Sequence, residues 1–172
     1  MMAMGIALVT GATSGIGEEF CWQLAAAHHD LVLVARREEK LRKLAEDLRQ
    51  IAGVKAEVIV ADLGVAGDVD RVAQRLSDEQ SPVGLLVNNA GFALGCSFID
   101  NTIEAEENAL DVMVRAPMVL SYAALNAMRA RGRGAIINVS SVASETGAGT
   151  YSAHKAWIRA FSEGLSEELR GS

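Results

Sequence analysis

A chain of 172 residues has room for one sizeable buried core and not for two. Half of it is hydrophobic and only 5% is aromatic, an aliphatic balance that suits helices packed on a buried parallel sheet. The 16 basic and 22 acidic residues leave a net charge of −6, which argues against non-specific nucleic-acid binding, and no apolar stretch reaches membrane-spanning length.

Apolar runs and helical patterns then alternate along the chain. Residues 4–10 (MGIALVT) read as a buried strand ended by glycines, and residues 15–27 have helical spacing. Residues 31–35 form a second strand, followed by a charged amphipathic helix over 38–50. Leu41, Leu44, Leu48 and Ile51 share one face of that helix, and Gly53 stands at its C-terminal cap position. Residues 56–60 read as a third strand, 69–76 as a short helix and 83–88 as a fourth strand. One long helix is expected over 102–129, kinked at Pro117. Gly132 and Gly134 turn the chain into a fifth strand over 135–140, and a last helix starts near Thr150.

This alternation implies an α/β fold: a Rossmann-like, doubly wound parallel sheet with helices on both faces, forming one domain over 1–172. Ligands of such sheets bind beyond the carboxyl ends of the strands, so chemistry is sought there. Cys21 and Cys96 read as small buried residues in a reducing compartment, and the short leader Met1-Met2-Ala3-Met4 does not make a signal peptide. A cytoplasmic setting follows as the expectation.

After the first strand comes Thr10-Gly11-Ala12-Thr13-Ser14-Gly15-Ile16-Gly17. Gly11 permits a tight turn, Gly15 lets backbone approach a pyrophosphate, and Gly17 allows close helix–strand packing. The N–H groups opening the helix then bind the anion. ATP chemistry of the phosphate-loop kind is excluded, because no Gly-Lys-Ser/Thr follows. The second strand ends in Arg36-Arg37 with no carboxylate, and a guanidinium at Arg36 pairs with a 2′-phosphate, favouring NADP(H) over NAD(H). Arg37 reads as surface charge. Asp62-Leu63 lies where an adenine ring would rest, although the aspartate taken alone reads first as a cap for the next turn.

The fourth strand ends in Asn88-Asn89-Ala90-Gly91 and the fifth in Asn138-Val139-Ser140-Ser141. Ten residues past Ser141 come Tyr151 and Lys155, which share a helical face at i and i+4. A phenol ionises near pH ~10, so service as a base at neutral pH needs a drop of roughly 3 units, about 4 kcal/mol. A cation about 4 Å away in a medium of effective dielectric near ~20 supplies roughly that much.

With these four ordered motifs the chain resembles the short-chain dehydrogenases/reductases over essentially its whole length. The resemblance implies that Tyr151 is the general acid in carbonyl reduction and the base in alcohol oxidation. It implies that Ser141 holds the substrate oxygen, with Ser140 as the rival, and that Lys155 binds the nicotinamide ribose and eases ionisation of the phenol. Asn89, Ala90 and Gly91 would line the ribose and nicotinamide. The substrate is expected to be a small hydrophobic carbonyl compound or alcohol. The 102–129 and 150–170 helices are expected to pair with their copies in a homodimer or homotetramer, as in the family.

Three departures stand out. Met113 occupies the place where the family carries an asparagine that holds a water in the proton relay, which leaves Asn108 or water alone to substitute. The 141–151 segment is short, and His154 replaces a small hydroxyl residue and is expected to point away from the site, while His28 and His29 are expected to be solvated. The chain stops at Ser172, where the family continues with further strands and a substrate lid, so a longer natural protein is expected. The competing reading is a non-catalytic NADP(H)-binding sensor or regulatory protein of the same fold.

Overall fold

Aliphatic runs with no polar alternation can only be strands if both faces of the sheet are covered, and this is how they are used here. The computed structural model describes residues 5–171; Met4, assigned to the first strand from the sequence, and Ser172 lie outside them. The strands are β1 (Ile6–Thr10), β2 (Asp30–Ala35), β3 (Ala56–Val60), β4 (Val83–Asn88) and β5 (Ala135–Asn138). They form one parallel sheet in the order β3-β2-β1-β4-β5. The order reverses between β1 and β4, which opens a crevice at their carboxyl ends.

The helices are α1 (Gly15–Ala26), α2 (Glu38–Ala52), α3 (Ala66–Leu76), α4 (Ile103–Leu110), α5 (Ala116–Arg131) and α6 (Gly149–Glu168). Alternate strand residues serve opposite faces. Ala7, Val9, Leu31 and Leu33 pack with Cys21 and Ala25 of α1 and Leu41, Leu44 and Leu48 of α2. Leu8, Val32 and Val34 pack instead with Val69, Val72 and Leu76 of α3 and Leu120, Ala124 and Met128 of α5. Full burial of a side chain such as Leu8 contributes about 1.5–3 kcal/mol, so these two layers hold the sheet flat against its helices. Gly53 caps α2 as its position predicts. Ile51 does not join that helix's buried face: it sits in the last turn and is 74% exposed. Cys96 is also exposed, contrary to expectation, whereas Cys21 is buried and its thiol is pushed up to about 12 by that burial.

The expected single helix over 102–129 is two helices. A π-helical segment, Asp111–Arg115, joins α4 to α5, and Pro117 lies in the first turn of α5. A proline ring clashes with the carbonyl four residues back, here that of Met113, and the wider π turn relieves the clash. The helical backbone runs on through the junction, and the irregularity lies in the turn before the proline. β5 is an outer strand of the sheet, with Ile137 exposed. No helix among the described residues is long and apolar enough to cross a membrane.

Candidate active site

The crevice at the switch point is built by cross-links between strand ends. Thr10 Oγ1 donates to Val87 O at 3.4 Å and accepts from the N–H groups of Asn89 and Ala90 at 3.0 and 3.1 Å. Asn89 Nδ2 in turn donates to Thr10 O at 3.0 Å and Gly11 O at 3.3 Å. Asn88 Nδ2 donates to Ser121 Oγ on α5 at 3.1 Å and to Asn138 Oδ1 on β5 at 2.9 Å. Asn138 Nδ2 then donates to Ser162 Oγ on α6 at 2.8 Å. The paired asparagines thus tie neighbouring strands together.

The glycines divide three ways. Gly11 (φ +67°) makes a left-handed turn hard against Asn89, so it permits both the turn and the contact. Gly15 (φ +55°) opens α1 onto empty space, where a side-chain carbon would meet nothing within 4 Å. Gly17 packs inward: a side-chain carbon there would stand 2.2 Å from Gly11 O and 2.3 Å from Asn89 Nδ2. The N-cap residue of α1, Ser14, makes no side-chain capping bond, so the first N–H groups of that helix stay available to an anion.

These elements surround a cleft of about 640 Å³. Gly11, Thr13, Ser14, Gly15 and Ile16 line one end, with Arg36, Arg37, Asp62 and Leu63 beside them; Asn89, Ala90, Gly91, Ser140, Ser141, Tyr151 and Lys155 line the other. Of the site residues expected from the sequence, Gly17 alone is off the cleft wall, since its role is the close packing of α1 on β1 and β4. Arg37 is exposed, as expected of surface charge, but it also has a structural partner. Its guanidinium donates to Thr13 O and Thr13 Oγ1, both at 3.1 Å, and so braces the glycine loop, while Arg36 stands at the same rim without a partner among the described residues. Asp62 accepts from Gly64 N–H at 2.9 Å, so one of its oxygens does cap the following turn.

At the other end the two serines are already distinguished by their bonds. Ser140 Oγ donates to the backbone carbonyl of Lys155 at 2.8 Å, fixing α6 to the end of β5. Ser141 Oγ accepts from Ala143 N–H at 3.1 Å, which leaves its own proton to give away. Lys155 is buried and its Nζ donates to Val139 O at 2.9 Å; burial pulls its ammonium below the ordinary lysine range. That nitrogen lies 5.8 Å from the centroid of the Tyr151 ring.

Met113 is buried and meets the same spot. A side-chain carbon on Gly91 would lie 3.3 Å from Met113 Sδ and 3.4 Å from Lys155 Nζ, so a thioether borders the lysine. Asn108 does not take its place, because its side chain packs against Gly64. His154 is not on the cleft wall, in keeping with the expectation that it points away from the site; it is 7% exposed, and its Nδ1 has no hydrogen-bond partner among the described residues. Burial lowers its pKa, opposed by the Glu106 carboxylate and reinforced by Lys155. His28 is exposed, but His29 is half-buried with Nδ1 covered and unpartnered.

The profile of the short chain dehydrogenase family matches residues 5–172. A very-long-chain 3-oxoacyl-CoA reductase from Laccaria bicolor is 37% identical over 169 residues, 95% of this chain and 50% of that protein. A short-chain dehydrogenase from Sphingobium yanoikuyae, solved in complex with NADPH, superimposes with a TM-score of 0.94 at 37% identity, over 97% of this chain and 66% of its own. The bulky-bulky ketone specific alcohol dehydrogenase from Comamonas testosteroni gives 0.93 at 34% identity, over 98% and 68%. The chain thus spans from half to about two thirds of the length of these relatives. With its sheet order, its glycine turn and its profile match agreeing, the chain belongs to the short-chain dehydrogenase family, whose members are oxidoreductases.

Proposed function

We propose that the protein is an NADP(H)-dependent oxidoreductase interconverting a carbonyl compound and a secondary alcohol, with Tyr151 as the acid–base group. The observation that carries this reading is that Ser141, Tyr151 and Lys155 line the same cleft as the glycine turn of α1. The residues present fit a dinucleotide phosphate: unused N–H groups at Gly15 and Ile16 face open space, and Arg36 and Arg37 stand at the rim for a 2′-phosphate. Leu63 and the second oxygen of Asp62 suit an adenine, and Asn89, Ala90 and Gly91 the ribose and nicotinamide side.

Bound NADP(H) supplies or accepts the hydride. The protein's part is to hold the substrate oxygen and move a proton. Ser141 donates its hydroxyl proton to that oxygen as a hydrogen bond, orienting it, whereas Ser140 is spent on the backbone of Lys155. Tyr151 gives its phenolic proton to the oxygen in reduction and takes it back in oxidation. Lys155, held by Val139, stabilises the phenolate and reaches the ribose side. Support for a hydrophobic substrate comes from Phe92 and Val112 on the cleft wall. Exposed Ile103, Leu110, Met118 and Tyr122 on α4 and α5 support pairing with a second copy in a dimer or tetramer. Free thiols at Cys21 and Cys96 suit a reducing compartment such as the cytoplasm.

The buried Met113 beside Lys155 favours one rival, a non-catalytic NADP(H)-binding protein. Nicotinamide fluorescence titrations with NADPH and NADH, followed by ketone reduction assays on the parent and Tyr151→Phe, separate the two. The enzyme reading requires preferential NADPH binding by both proteins and turnover by the parent alone. Binding without turnover in the parent would leave the sensor reading standing.

A further inference from the structure

Helix α6 opens badly for a helix that carries a reactive group in its first turn. Its N-cap residue is Ala148, which has no side chain able to accept from the exposed N–H groups, and Tyr151 is only the third helical residue. The second turn is secure: Ser140 Oγ holds the Lys155 carbonyl, and Lys155 Nζ holds Val139 O. Tyr151 keeps its register with Lys155 only while the first turn stays helical.

Two contacts compensate for the missing cap. Locally, Ser152 Oγ accepts from Ala148 N–H and bonds Thr146 Oγ1, both at 3.1 Å. From outside the helix, Thr150 Oγ1 donates to Glu106 Oε2 on α4 at 2.6 Å, the short distance of a charge-assisted bond. Glu106 is 8% exposed, and its other oxygen accepts from Asn101 Nδ2 at 2.8 Å. Both carboxylate oxygens are therefore occupied, one by the residue preceding Tyr151 and one by the loop entering α4. A negative charge at this end of α6 also suits the helix dipole. On the same face of α6, one turn on from Thr150, His154 is buried toward this carboxylate.

Resting on the oxidoreductase reading above, we infer that Glu106 is a positioning residue for Tyr151, acting through the Thr150 hydroxyl as an anchor supplied by a neighbouring helix, and that through Asn101 it couples the loop entering α4 to the acid–base helix.

The test compares the parent with Thr150→Val, which keeps the shape and loses the hydroxyl, and Thr150→Ser, which restores it. Amide hydrogen exchange is read at residues 153–155, whose N–H groups bond back to the first turn. Exchange there is expected to rise on the order of tenfold in Thr150→Val, with β1–β4 unaffected, and to return toward the parent in Thr150→Ser. In a turnover assay kcat should fall by a similar factor while KM and the NADPH Kd hold. Glu106→Gln, which keeps an acceptor for Thr150, should lie between parent and Thr150→Val. Unchanged exchange at 153–155 in Thr150→Val, or an equal rise along the whole chain, overturns the inference. If the parent reduces no carbonyl, the oxidoreductase reading fails while the exchange data still decide whether Glu106 anchors the turn.

Discussion

Gly17→Ala is the sharpest probe of how the crevice is built. The added carbon would lie 2.2 Å from Gly11 O and 2.3 Å from Asn89 Nδ2, where an ordinary contact needs more than 3.4 Å. Helix α1 must then withdraw by roughly 1 Å, a shift of the kind that overpacking forces at about 1–3 kcal/mol. Asn89 also loses its bonds to Thr10 O and Gly11 O, at about 1 kcal/mol each. Together these give about 3–5 kcal/mol, or a fall of roughly 10 °C in Tm for a chain of this size. Gly15→Ala is the control: it meets no atom within 4 Å and suffers only its positive φ, about 1–2 kcal/mol. Urea denaturation followed by circular dichroism, with NADPH titration on the same samples, reads both. Gly17→Ala should lose stability first and binding as a consequence, whereas Gly15→Ala should lose binding with little loss of stability. A Gly17→Ala protein within about 0.5 kcal/mol of the parent would refute the close-packing account.

Other consequences follow from the same geometry. Iodoacetamide at pH 8 should alkylate Cys96 and spare Cys21, whose buried thiol is pushed up to about 12; mass spectrometry finding label on Cys21 in folded protein would contradict that burial. His154 holds its proton less readily folded than unfolded, so its contribution is full above pH 6.5 and is lost as pH falls below that value. Melting curves from pH 7 to about 5 should show a loss for the parent that His154→Leu flattens, the Glu106 contribution being lost only below its ordinary value of 4.5. Met113→Asn should raise kcat severalfold by ordering a water beside Lys155, at about 1–3 kcal/mol of stability for a buried amide; an unchanged kcat would show that no relay passes this point.

The strands and the glycine turn were legible in the sequence because each follows from a local rule: unbroken aliphatic runs for a sheet covered on both sides, and glycines where backbone must come close. Ser141, Tyr151 and Lys155 were legible as a set, and their convergence on one cleft needed only the switch point of the sheet. What escaped was non-local. A glutamate in an acidic stretch such as Glu104-Ala105-Glu106-Glu107 reads as solvated, and nothing in that pattern says that Thr150, 44 residues on, will bury Glu106. The π segment left only Pro117 as its trace, which marks an irregular helix there but not the wider turn that precedes it. Arg37 passed for surface charge because its partner, Thr13, belongs to a different turn. Cys96 was misjudged by residue type and Ile51 by helical spacing, and both are exposed.

The pairing of β1 with β4 has a kinetic side. Thr10 and Val87 meet across 77 positions of chain, while β1–β2 and β2–β3 pairings close far shorter loops. Loop-closure entropy makes the long pairing the slow one, so a β1–β2–β3 half can assemble before β4 arrives. The crevice exists only once that junction has closed, and a dinucleotide held there grips both halves at once. Saturating ligand would then act on the unfolding rate more than on the folding rate, lengthening the lifetime of the finished sheet without hastening its assembly.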